Sequence, residues 1–112
     1  VDDNIIGLLE SLVVLLVNSK FSEIVARNEN GRLSQSEIEA ALREYPGIIS
    51  LPPESAYRSV YVYDIYDGAT GARKSEFDLW YDGEVSDLTL SAEIKKNSSG
   101  ELVITIEDIH VL

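Results

Sequence analysis

Residues Ser75–Ile94 read SEFDLWYDGEVSDLTLSAEI. On one side of Asp82-Gly83, Phe77, Leu79 and Tyr81 alternate with Glu76, Asp78, Trp80 and Asp82. On the other, Leu88, Leu90, Ala92 and Ile94 alternate with Asp87, Thr89, Ser91 and Glu93. A period of two is that of a strand with one buried face, and Asp-Gly between two such runs is a turn. The stretch predicts two antiparallel neighbours, and it assigns their faces. If Phe77, Leu79 and Tyr81 face a core, the carboxylates and Trp80 face the other way.

Outward from this pair the same period continues. NSSG (97–100) turns the chain, and Leu102, Ile104 and Ile106 begin a last strand. Upstream, YRSVYVYDIYDG (57–68) alternates Tyr61, Tyr63 and Ile65 against Val60, Val62 and Asp64, and DGATG (67–71) turns. β-branched and aromatic residues suit strands, and short connections between consecutive strands imply an antiparallel meander.

Before Tyr57 the period is helical. Ile5, Leu8, Leu9, Leu12, Leu15 and Leu16 recur at helical spacing, with Val13, Val14 and Val17 widening the apolar stripe. Such a helix is covered on several sides, as a central core helix or as a dimer seam. Asp2, Asp3 or Asn4 can cap it. Phe21 to Ala26 reads as a short helix, and NENG (28–31) as a turn. Ser34-Gln-Ser-Glu37 has capping-box spacing and opens a helix through Ile38, Ala41 and Leu42, which Pro46 ends. YPGIISLPPES (45–55) then crosses to the strands as a stiff extended segment. The expected fold is α+β in one domain, residues 1–112: a helical part, 1–46, packed on one face of a four-stranded antiparallel meander, 57–112.

Composition limits the function. The 112 residues are 45% hydrophobic and 26% charged, in the ordinary globular range. The chain has no cysteine, which excludes disulfides, thiolate metal sites and cysteine nucleophiles. A formal net charge of −11 and a pI near 4.3 disfavour nucleic acid and anionic membranes and favour cationic partners, with steering that weakens in salt. IIGLLESLVVLLVNSK (5–20) follows an acidic leader and has no small-residue cleavage site. It is read as a buried helix and not as an export signal, which makes the cytoplasm the expected location. The absence of Met at position 1 implies an initiator that was removed or lies outside this sequence.

Three clusters carry possible chemistry. The 75–94 stretch holds Glu76, Asp78, Asp82, Glu84, Asp87 and Glu93 with no Lys or Arg; the nearest, Arg73, Lys74, Lys95 and Lys96, stand at its ends. Like charges across strands oppose stability, and an outward Trp80 is a binding hot-spot type. Glu76, Asp78, Trp80, Asp82 and Asp87 are therefore the candidate partner-binding residues. The alternative for Trp80 is cover by a loop, with its N–H bonded to a backbone carbonyl. Asp108 and the only histidine, His110, lie two apart on the last strand and can form a carboxylate–imidazole pair. Continued alternation points both toward the core unless a bulge intervenes. Asp82, Glu84 and Asp87 are oxygen ligands without EF-hand spacing, and no phosphate-cradling glycine motif occurs. Neither a metal nor a cofactor is expected.

FDLWYDGEVSDLTLSAEI and VITIEDIHVL resemble a family of small uncharacterised bacterial domains with a Leu-Trp pair, a turn, Ser-Asp-Leu-Thr-Leu and a closing Asp-Ile-His-Val-Leu. Here these are Leu79, Trp80, Ser86 to Leu90 and Asp108 to Leu112. In kind, a small, acidic, cysteine-free domain also resembles immunity proteins of contact-dependent or polymorphic toxin systems. That likeness implies a monomeric or homodimeric cytoplasmic protein that neutralises a basic, nuclease-like toxin domain. The helices-then-meander order is similar to cystatin-like and nuclear-transport-factor-like folds. These imply the rival function: a small-molecule binder or enzyme whose pocket is lined by Asp108, His110 and Tyr63 or Tyr81.

Overall fold

The computed structural model describes residues 2–64 and 71–111. Three helices come first: α1 (Asp3–Val17), α2 (Phe21–Ala26) and α3 (Gln35–Glu44). Strands β1 (Ile49–Ser50), β2 (Tyr61–Asp64), β3 (Arg73–Tyr81), β4 (Glu84–Lys96) and β5 (Leu102–Val111) follow, with a 3-10 helix, Glu54–Ser59, between β1 and β2. The fold is α+β with an open antiparallel sheet, and the helices pack on one face of it. Ile65 and most of the DGATG turn lie outside the described residues, as does Leu112.

Local chemistry sets the helix ends. Asp2 caps α1, its carboxylate accepting from Asn4 N at 2.8 Å. Ser34 and Glu37 form the reciprocal capping box of α3, which holds the Glu37 carboxyl below its usual range. At the far end of α3, Tyr45 turns extended ahead of Pro46. α1 is a core helix: Ile5, Leu9, Leu12, Val13, Leu15 and Leu16 are buried, while its exposed positions include Asn4, Gly7, Glu10 and Ser11. Its buried side chains join one cluster with Phe77, Leu79, Leu90, Ala92, Ile94, Ile104, Ile106 and Ile109 from the inner sheet face.

The decisive hairpin is β3–β4. Asp82 and Gly83 both take positive φ, 53° and 77°, the backbone of a two-residue type I′ turn that matches strand twist. The expected four-strand meander gains a fifth member. β1 and β2 both pair with β3, β1 at Ile49↔Tyr81 and Ser50↔Trp80, β2 from Tyr61↔Glu76 to Asp64↔Arg73. The crossover 45–55 is thus partly a strand. Tyr57, read as the opening of a strand, instead sits in the 3-10 helix, where its ring stacks on Phe77 at 5.3 Å between centroids.

The loop before α3 is fastened to β5: Ile106 N donates to Glu29 O at 2.7 Å. Gly31, at φ 59°, passes so close that a Cβ there would lie 2.2 Å from Ile106 O. Gly31→Ala is expected to destabilise the domain by roughly 2–3 kcal/mol, since strain and a backbone clash act together. A denaturation midpoint equal to wild type would show that the loop is not seated this way.

Two buried phenols make stability pH-dependent. Tyr57 is pushed up to about 12 by burial and, secondarily, by the Glu10 charge. Tyr81 also reaches about 12, through burial and then Tyr45. Above pH 10 the unfolded chain releases these protons while the folded one keeps them. Stability present below pH 10 is therefore lost as pH rises toward 12, on the order of 1–3 kcal/mol per tyrosine. Denaturant midpoints at pH 9, 10 and 11 should fall, and Tyr57→Phe should flatten the decline.

Candidate functional site: the outer face of the sheet

Alternation carries Glu76, Asp78 and Trp80 to the face away from the helices. Trp80 pairs with Val85, Asp78 with Thr89 and Glu76 with Ser91. The β3–β4 register slips opposite Leu79, where β4 holds two additional residues. Ser86 fills the gap: its hydroxyl donates to Leu79 O at 2.6 Å and accepts from Leu88 N at 3.1 Å. A slip of two preserves which side chains face outward, so Val85 joins Trp80 on the outer side.

Trp80 is half-buried, and among the described residues its indole N–H has no hydrogen-bond partner, a state between the two expected ones. It lines a groove of about 580 Å³ with Pro53, Ala56, Tyr61, Glu76 and Asp78. The groove lies where the chain leaves β1, runs through the 3-10 helix and rejoins the β3 edge as β2. Thr89 forms part of its lining; outward by register, it is only 1% exposed and donates to Asp78 Oδ1 at 2.8 Å. Two exposed apolar side chains were not singled out by sequence reasoning: Val85, 60% exposed, lines the groove, and Ile48, 76% exposed, lies against Asp82 at the turn end of the hairpin. Tyr61 is exposed as well.

The five candidate binding residues separate into two groups. Glu76 and Asp78 share the groove with Trp80. Asp82 and Asp87 have local partners: Asp82 Oδ1 accepts from Ile48 N at 3.0 Å, and Asp87 accepts a short hydrogen bond from the Tyr45 hydroxyl. That bond is the main cause of the raised Tyr45 pKa. Tyr45 in turn packs on Tyr81, whose hydroxyl donates to Leu42 O at 2.7 Å, so the turn end of the hairpin is tied to α3.

Basic residues are not confined to the turns. Lys74 lies within the outer face opposite Glu93 and bonds Glu107 at 2.9 Å, which raises the Lys74 pKa. Lys95 pairs with Glu93 at 3.6 Å. Among the described residues, no Lys or Arg pairs with Glu76, Asp78, Asp82, Glu84 or Asp87. The uncompensated negative charge therefore concentrates at the Trp80 end of the sheet.

Asp108 and His110 do not point coreward. The β4–β5 register shifts between Ser91↔Asp108 and Ala92↔Ile106, leaving Glu107 as one extra residue. A one-residue bulge exchanges faces: Ile109 enters the core, and Asp108 and His110 turn outward opposite Ser91 and Thr89. His110 Nδ1 lies 3.2 Å from Asp108 Oδ2, off-line for a hydrogen bond, and this buried nitrogen has no hydrogen-bond partner. Asp108 Oδ1 accepts from Ile109 N. Asp108, His110, Tyr63, Lys74, Ser91 and Arg32 line a second, more polar groove of about 630 Å³. Glu76 belongs to both grooves. Tyr81 is in neither and faces the core.

Among the described residues, no helix is long and apolar enough to cross a membrane. The profile of a family described as a domain of unknown function (DUF7668) matches residues 13–112. No curated protein and no solved structure matches the chain significantly.

Proposed function

The chain belongs to the DUF7668 family of domains of unknown function, and we propose that it is a bacterial binding protein of the immunity type. In this reading it acts in the cytoplasm and neutralises a basic, nuclease-like toxin domain by covering it with the outer sheet face. The observation that carries the proposal is the groove at Trp80, where an aromatic wall lies beside two carboxylates that have no cationic partner among the described residues. Apolar anchors supply slow dissociation, and unpaired charge supplies fast, steered encounter with a cationic surface.

The test starts from a basic protein captured from native lysate and identified, whose enzymatic activity is then assayed with and without this domain. Inhibition should be stoichiometric. Glu76→Gln with Asp78→Asn should lower the association rate about tenfold at low salt, and the difference should shrink as salt rises. A partner bound equally fast by the double amide variant, or whose activity is untouched, would exclude this function.

A second reading, small-molecule binding or acid–base chemistry in the polar groove, is favoured by one observation: the Asp108–His110 pair opens into it beside Tyr63 and Lys74. His110→Ala separates the two readings. It should leave toxin inhibition intact under the first and abolish ligand binding under the second.

A further inference from the structure

The geometry points to an arginine side chain of the partner as the occupant of the Trp80 groove, stacked on the indole with its guanidinium between Glu76 and Asp78. This rests on the protein-binding reading above and names the anchor of that contact.

Glu76, Asp78 and Trp80 occupy alternate positions on β3, so successive members stand about 6.6 Å apart along one face. Pro53, Ala56, Tyr61 and Val85 give the lining an apolar stretch suited to a methylene stem, beside the hydroxyl-bearing Ser55 and Ser59. Asp78 uses Oδ1 for the Thr89 hydroxyl, and its Oδ2 has no partner among the described residues. The Glu76 carboxylate has neither a hydrogen bond nor an ion pair among the described residues. A neutral apolar guest would bury these carboxylates without partners.

A planar guanidinium satisfies the whole arrangement. It donates in two directions to two carboxylates while its face stacks on an aromatic ring. An ammonium is compact and strongly hydrated and has no planar face to stack while it donates in the plane. The chain's own cations do not fill the place. Arg58 in the 3-10 helix pairs with Asp3, Arg73 with Asp64, and Lys74 with Glu107.

The test is an NMR titration of the 15N-labelled protein with N-acetyl-arginine amide, with its neutral isostere N-acetyl-citrulline amide, and with N-acetyl-lysine amide. The arginine compound should shift the Trp80 indole N–H and the Glu76 and Asp78 amides, saturating in the millimolar range. Citrulline should bind about tenfold more weakly, as expected for losing a charge-assisted hydrogen bond. Lysine should also be weaker, and Glu76→Gln with Asp78→Asn should erase the preference for arginine. No shift at the Trp80 indole, or equal responses to arginine and citrulline, overturns the assignment. The titration contains no partner protein, so its failure is separable from that of the proposed function. Partner capture that is insensitive to Trp80→Ala removes the binding reading itself, whatever arginine does.

Discussion

Trp80→Ala is expected to weaken binding of the proposed basic partner by at least about thirtyfold, the loss of roughly 2 kcal/mol or more that marks an aromatic hot spot. The indole forms a wall of the groove, its N–H has no hydrogen-bond partner among the described residues, and it stands among Val85, Tyr61 and the carboxylates of Glu76 and Asp78, which have no cationic partner among those residues. Removing it also opens the groove to water, which weakens the carboxylates' hold on any cation. Stability should change little. Trp80 is outside the core cluster, and its cross-strand pairing with Val85 is worth about 1 kcal/mol or less. Calorimetric titration beside a denaturation curve separates the two effects. Unchanged affinity would place the interface elsewhere; a large loss of stability would make Trp80 a structural residue.

Leu12→Ala should do the opposite, destabilising by about 3 kcal/mol, within the usual 2–5 for truncating a buried leucine. Leu12 is 0% exposed and sits midway along α1 in the cluster with the inner faces of β3, β4 and β5. Its removal leaves a cavity that a helix held on several sides cannot close. Against a total stability of about 5–15 kcal/mol for a domain, that is a large share. The denaturant midpoint should drop with an unchanged slope. Ser11→Ala, one position away on the exposed side, should stay within about 0.5 kcal/mol of wild type. Equal effects at the two positions would mean that α1 is not seated on the sheet as described.

What was legible in the sequence is what neighbours in the chain decide. The capping box at Ser34 and Glu37, the end of α3 before Pro46 and the turn at Asp82-Gly83 depend on side chains within a few residues of the backbone they bond. The faces of β3 follow from period two alone, which put Glu76, Asp78 and Trp80 on one side and Phe77, Leu79 and Tyr81 on the other. The family resemblance rested on the same strands and their ends, and the matching profile spans residues 13–112.

What the sequence did not show depends on pairing between distant segments. The Glu107 bulge turns Asp108 and His110 outward because β4 and β5 change register, and no residue near Glu107 announces it. Lys74 shares the face of Glu76 by period two, but it lies inside the sheet only because β3 pairs β4 as far as Arg73, which brings Lys74 opposite Glu93. The groove exists because β1 and β2 share one edge of β3 and the 3-10 helix spans the interval. Side-chain direction is a local property with a fixed period, so the sequence by itself determined the helices, the hairpin and the acidic, tryptophan-bearing face. Register, bulges and edge sharing are settled by packing and hydrogen bonding between remote strands, so only the tertiary structure decided which acids of the described residues lack a cationic partner and where the groove beside Trp80 lies.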